Sequence, residues 1–203
     1  TIGGKKFSNV GLRKKGFLGS LDSERPSLKI KLDNEDPRAE INGLTMLTFN
    51  NNKQDVSLMS QSMGYALYNA AGSPAPRCGY ARITVNGKNL GVYSHVESLR
   101  RPLLRREFGD GRGPLYEGTV VDFFRGWEEA FEIKMSAKKS DQKSKQNRFK
   151  ALLEELGREK IKQLTKVLEN DDLPDVEQAI GKYVDLDSFY AFWAVEGLLG
   201  FWD

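Results

Sequence analysis

Phosphate binding is the chemistry that the residue types and spacing of this chain suggest first. Gly16-Phe17-Leu18-Gly19-Ser20 is a short turn containing two glycines. Before it, residues 9–15 (NVGLRKK) alternate Val10, Leu12 and Lys14 with Gly11, Arg13 and Lys15, the pattern of a weak strand. After it, residues 27–32 (SLKIKL) alternate Leu28, Ile30 and Leu32 with Lys29 and Lys31, a stronger strand with one apolar face. Strand, glycine turn and strand together can present backbone N–H groups to an anion while nearby lysines neutralise a phosphate. The same letters also describe a plain surface hairpin, since glycine is common in tight turns.

Other reactive side chains are sparse. Cys78 is the single cysteine, lies between Arg77 and Gly79 and has no neighbouring histidine, so it reads as a half-buried structural thiol. It leaves the redox compartment undetermined. His95, the single histidine, sits mid-strand beside Tyr93 and reads as structural or surface. Residues 136–150 are basic, with Lys138, Lys139, Lys143, Lys145, Arg148 and Lys150. Such a run is usually a solvated loop and helix start; an acidic partner is the other reading.

Composition bounds the classes. The 203 residues are 39% hydrophobic and 29% charged, a globular mixture. A net charge of +3 without a concentrated basic stripe argues against a nucleic-acid binder. The chain starts at Thr1 with no signal-peptide pattern. The most apolar run, residues 189–202, contains Glu196 and is shorter than the ~20 residues of a membrane span. It reads as a buried helix, and the chain as soluble and part of a longer protein.

The positioning elements follow from periodicity. Residues 43–50 form a third strand closed by Asn50-Asn51-Asn52. Asp55 is placed to cap a helix over residues 56–71, in which Leu58, Met59, Met63, Ala66, Leu67 and Ala70 recur at helical spacing; Gly72 and Pro74 end it. Ala81, Ile83 and Val85 then alternate with Arg82 and Thr84, Asn86-Gly87 makes a tight turn, and Val92, Ser94 and Val96 return with Tyr93 and His95 on the other face. Beyond residue 118 come an aromatic segment (120–135), amphipathic helices over 148–156 and 159–168 divided by Gly157, a short helix over 175–183, and an apolar helix over 188–199 capped by Asp187.

Strand, glycine turn, two strands, helix and hairpin is the order of a protein-kinase small lobe. The strings carry the likeness further. "APRxxYARITVNGKxLGVYxxVE" across residues 75–97 resembles the central signature of the CotH family of atypical protein kinases. "NNNKQDVSLMSQSMGYALYNAAGSPAPR" before it and "ESLRRPLLRREFGDGRGPLYEG" after it are similar to the flanking motifs of that family. The resemblance runs from about Asn9 to Gly118 and returns at residues 183–203.

This resemblance implies an α+β, protein-kinase-like fold. An antiparallel-sheet small lobe (residues 1–118) would precede a partial helical large lobe (119–203) that is cut short. It implies ATP with Mg2+ or Mn2+, a protein substrate at a coat or surface, and an extracellular or cell-surface location, with neither nucleic acid nor a membrane span. Gly16 to Ser20 fall at the family's phosphate loop, with Arg13 in the strand before it. Either Arg25 or Lys29 would face the phosphates, because Arg25-Pro26 stand where relatives often have Lys. Glu97, at the hinge-like end of the hairpin, would either meet the base or ribose or cap the next helix. Asp203 falls at the catalytic-loop aspartate, with metal ligands expected after it; the 203-residue chain by itself is then expected to be inactive. Ser60-Gln61-Ser62 replace a charged triplet of relatives, so a Lys–Glu ion pair is missing at Gln61. That departure is the ground for an alternative, a non-catalytic scaffold with the same fold.

Overall fold

The computed structural model describes all residues except Phe17, Leu18, Thr119, 136–142, 171–174 and 201–203; for Met135 and 143–150 it describes the backbone alone. Asp203 therefore lies outside the described residues, as does much of the basic segment. The chain divides into two compact units, Thr1–Leu103 with the end of the last helix from Val195, and Leu104–Ala194.

The first unit is built on five antiparallel strands, β1 (Gly11–Lys14), β2 (Leu28–Lys31), β3 (Met46–Asn50), β4 (Cys78–Val85) and β5 (Lys88–Val96), in the order β1-β2-β3-β5-β4. Asn86 and Gly87 have φ of 50° and 80°, so both central positions of the β4–β5 turn are left-handed, the conformation whose twist matches a two-residue hairpin. Cross-strand partners share a face. One face therefore carries Leu28, Ile30, Leu47, Phe49, Tyr93, His95, Ala81 and Ile83. It holds the main core of Leu28, Leu32, Leu47, Phe49 and Tyr93, covered by Ile2, Phe7, Val10, Ile41 and Leu44. The other face carries Arg13, Lys29, Thr48, Asn50, Ser94, Val96 and Tyr80.

Helix α1 (Ser60–Ala70) crosses this second face. The Tyr80 hydroxyl donates to the Leu58 carbonyl at 2.9 Å and lies 2.6 Å from the Ser62 hydroxyl. The helix begins at Ser60, later than the periodicity from Val56 predicts. Asp55 explains the difference: its carboxylate accepts Ser57 N (3.0 Å) and Ser60 N (2.8 Å), a turn that occupies residues 55–59 before the helix starts. Leu58 closes that turn at φ 61°, a left-handed conformation that costs a β-carbon-bearing residue about 1 kcal/mol.

The second unit contains α2 (Arg101–Phe108) for most of its length, β6 (Leu115–Glu117) paired with β7 (Glu132–Met135), α3 (Lys143–Leu168), α4 (Val176–Ile180) and most of α5 (Leu186–Leu199). Gly157 does not divide two helices; α3 runs through it unbroken. A Cβ at this position would lie 2.7 Å from the Tyr116 hydroxyl, which donates to the Glu154 carbonyl at 2.6 Å. The glycine is a notch for a tyrosine. Asp175 caps α4 through Gln178 N at 2.8 Å. Asp185, rather than Asp187, caps α5 through Ser188 N and Oγ at 3.2 and 2.8 Å. Nor is α5 buried throughout. Val195 is covered, whereas Phe189, Tyr190, Phe192, Trp193 and Leu198 are exposed, because its apolar residues are spread around the helix rather than along one stripe. Among the described residues no helix is long and apolar enough to cross a membrane.

Candidate functional site

The glycine turn is held from beneath by the asparagine run that ends β3. Asn51, 3% exposed, donates its amide hydrogens to the carbonyls of Gly19 (3.1 Å) and Arg25 (2.8 Å). Its backbone N–H donates to Ser27 Oγ at 2.9 Å, and its Oδ1 accepts Lys53 N at 3.2 Å. Asn52, left-handed at φ 51°, donates to Ser94 Oγ at 2.8 Å. The turn is closed by Lys15 N donating to Ser27 O (3.0 Å) and Ser27 N donating to Ser20 O (2.7 Å). Gly16, at φ 96°, packs so closely on Ser20 that a Cβ would sit 2.4 Å from its Cβ. Only glycine fits there.

Beside this turn is a polar cleft of about 310 Å³ lined by Lys15, Ser20, Asn50–Lys53, Gln54, Asp55 and Gln61. Lys15 Nζ donates to Asn50 Oδ1 at 2.6 Å, and Asn50 Nδ2 donates to Gln61 Oε1 at 2.9 Å. One chain of polar contacts thus joins the glycine turn, the end of β3 and helix α1. Burial, with the Arg13 charge adding to it, pulls the Lys15 ammonium below the ordinary lysine pKa. Lys53 is paired with Asp22 at 3.0 Å. The Asp22 carboxyl is lowered to about 2, first by the Arg25 backbone N–H and then by Lys53 and the Glu24 N–H. The Asp55 carboxyl is also lowered, mainly by the Ser57 hydroxyl.

The residues expected from sequence fall into two groups. Arg13 and Lys29 are direct cross-strand partners on the sheet face that α1 crosses, and Gly16 and Ser20 form the adjoining turn. Arg25 turns the other way. Its guanidinium donates to the Val92 carbonyl and lies 4.9 Å from the centre of the Tyr93 ring, on the core face. Glu97 stands one residue past β5 and accepts Arg77 N at 3.0 Å; its charge acts on His95. His95 packs its ring 5.1 Å from Phe49, and its buried Nε2 has no hydrogen-bond partner among the described residues. Cys78 is half-buried, and burial raises its pKa.

Lys15, Asn50 and Asn51 are the site residues that the sequence reading did not assign, and Gln61 entered it only as a departure from relatives. Lys15 directly precedes the turn glycine and the asparagines are consecutive, so a signal existed, but their partners lie 11 to 35 residues away. The described residues include no cluster of three His, Cys, Asp or Glu side chains placed to hold a metal.

A five-stranded antiparallel sheet crossed by one helix, with a tied-down glycine turn opening onto a cation-bearing polar cleft, defines an α+β protein with its polar chemistry gathered at one end of β3. The chain belongs to the CotH kinase protein family, whose pattern it matches over residues 12–203. It is also 32% identical over 77 residues to the inner spore coat protein H-like protein of Bacillus subtilis (strain 168), a match covering 36% of this chain and 25% of that relative. The chain thus spans about a quarter of the relative's length.

Proposed function

We propose that the protein is a CotH-type atypical kinase that transfers the γ-phosphoryl group of ATP to Ser or Thr of a coat or surface protein. The carrying observation is the Arg13–Lys29 cation pair beside a glycine-serine turn and a cleft with a part-buried lysine. Phosphoryl transfer relies on positioning and on fixed positive charge around the phosphates, and this face supplies both. A sheet-bearing first unit and a mainly helical second unit, each taken by itself, are in keeping with a kinase-like fold. ATP is the nucleotide this reading requires. Mg2+ or Mn2+ would neutralise the phosphates, held by ligands beyond the described residues. Asp203 is assigned the catalytic-loop position that orients the substrate hydroxyl. The name of the Bacillus subtilis relative supports a coat or surface location.

One observation favours a second reading. Gln61 contributes a neutral amide where an active kinase helix offers a carboxylate to its lysine. A non-catalytic scaffold would keep the fold and lose the chemistry. The full-length protein incubated with Mg-ATP or Mn-ATP and a coat protein separates the two. The kinase reading expects labelling that disappears in Asp203→Asn. Equal labelling by that variant removes Asp203 from the assignment, and no labelling by the wild type leaves the scaffold.

A further inference from the structure

Five cations stand near the glycine turn: Lys29, the cross-strand partner of Arg13, and four others whose surroundings differ. Arg25 is committed to the Val92 carbonyl and the Tyr93 ring. Lys53 is neutralised by Asp22. Arg13 is exposed at the edge strand. Lys15 alone of the four is part-buried in the cleft and satisfied by a neutral group, the amide oxygen of Asn50 at 2.6 Å. An ammonium has three donor hydrogens, and Asn50 takes one of them. Among the described residues no carboxylate stands within ion-pair distance of Lys15. The Asp55 carboxylate, on the same cleft wall, is occupied by the N–H groups of Ser57 and Ser60 and by the Ser57 hydroxyl. A half-buried charge without a counter-ion is costly, and the open volume beside it is polar and wide enough for phosphate groups.

We infer that Lys15 meets the phosphate chain of the nucleotide in this cleft, alongside the Arg13–Lys29 face, and that Asn50 and Gln61 are positioning residues that hold it there. The inference rests on the phosphoryl-transfer reading and adds to it a residue and a mechanical link. In this arrangement a neutral relay, Lys15 to Asn50 to Gln61, replaces a direct lysine–carboxylate pair between sheet and helix. The replacement has a consequence for charge. A lysine paired with a carboxylate is already neutralised, whereas the Lys15 ammonium is bound by a neutral amide oxygen that leaves its charge uncompensated, while Gln61 of α1 still fixes its position through Asn50. Gln61 is then a working part of an active site rather than the mark of a lost one.

The test measures binding of ATP, inorganic tripolyphosphate and adenosine to the full-length protein by calorimetry at fixed ionic strength. Lys15→Met is expected to weaken ATP and tripolyphosphate by about tenfold or more, the loss of one charged hydrogen-bond donor, and to leave adenosine unchanged. Lys15→Arg is expected to retain most of the affinity. Asn50→Asp gives Lys15 an internal counter-ion and is expected to weaken the same two ligands while keeping or raising the melting temperature; it carries the test if Lys15→Met fails to fold. Wild-type affinity for tripolyphosphate in both variants, or no binding by the wild type, overturns the inference. The two proposals fail separately. Lys15-dependent tripolyphosphate binding by a protein that transfers no phosphoryl group removes the kinase reading alone. Undiminished transfer by Lys15→Met removes this one alone.

Discussion

Asn51→Ala is the substitution that examines the construction of the site most severely. The side chain is nearly buried and bridges two backbone carbonyls, Gly19 at 3.1 Å and Arg25 at 2.8 Å, while accepting Lys53 N at 3.2 Å. Removing it leaves two carbonyls and one N–H short of a partner. Each hydrogen bond contributes about 1 kcal/mol net, and a buried polar group left unsatisfied costs about 1–3 kcal/mol. Water can reach the exposed Gly19 side, so the sum falls at roughly 2–4 kcal/mol for the first unit. For a domain of this size, that corresponds to a fall in melting temperature on the order of 10–20 °C. Asn51→Asp should be worse, because it keeps the shape while aiming a carboxylate at two carbonyl oxygens. Asn69→Ala is the control: its amide is exposed and bonds within its own helix at 2.8 Å, so its effect should stay within about 0.5 kcal/mol. Urea melts give the energies, and hydrogen exchange gives the location, since the Ser27 N–H to Ser20 O bond of 2.7 Å should lose protection first. A loss under about 1 kcal/mol for Asn51→Ala, with the turn still protected, would refute the claim that the asparagine run holds the glycine turn.

Two further predictions concern stability. Gly157→Ala in an exposed helix would gain about 1 kcal/mol from propensity, but here the new methyl meets Tyr116 at 2.7 Å, so a net loss of about 1–2 kcal/mol is expected; a melting temperature above wild type would contradict the notch, and the double variant with Tyr116→Ala should recover part of the loss. Burial lowers the pKa of His95 although Glu97 opposes it. The unfolded chain therefore takes up a proton near pH 6.5 that the folded one resists. Stability should hold above that pH and decline below it, and His95→Gln should flatten the slope of stability against pH between about 7 and 5; an unchanged slope would place the acid sensitivity elsewhere.

Much of the first unit was legible because its signals are local. Alternation marked β1, β2 and the β4–β5 hairpin, and Asn86-Gly87 fixed the turn type. The start of α1 was not legible, since Asp55 could cap at once or fold a turn first, and its bonds to Ser57 and Ser60 decide the matter. Gly157 looked like a break because a helix-weakening residue in a polar stretch gives no sign of the tyrosine that needs it. Arg25 and Lys29 were indistinguishable as phosphate-facing cations by charge and spacing. Strand register separates them, placing Lys29 beside Arg13 while Arg25 stacks on Tyr93. The polar relay from Lys15 to Gln61 was hidden for the same reason: each link joins a different element, and only the assembled sheet brings them together. The family motifs, by contrast, were legible from the strings alone, and the match over residues 12–203 bears them out.

The central claim is that this face binds ATP for phosphoryl transfer. Its most direct measurement is the transfer of label from γ-labelled ATP to serine by the full-length protein, run side by side for wild type, Lys15→Met and Asp203→Asn. The account predicts transfer by the wild type, a clear loss in Lys15→Met that higher ATP partly restores, and none in Asp203→Asn at any ATP concentration. Wild-type protein that binds ATP yet labels nothing, or label transfer indifferent to both substitutions, would contradict it.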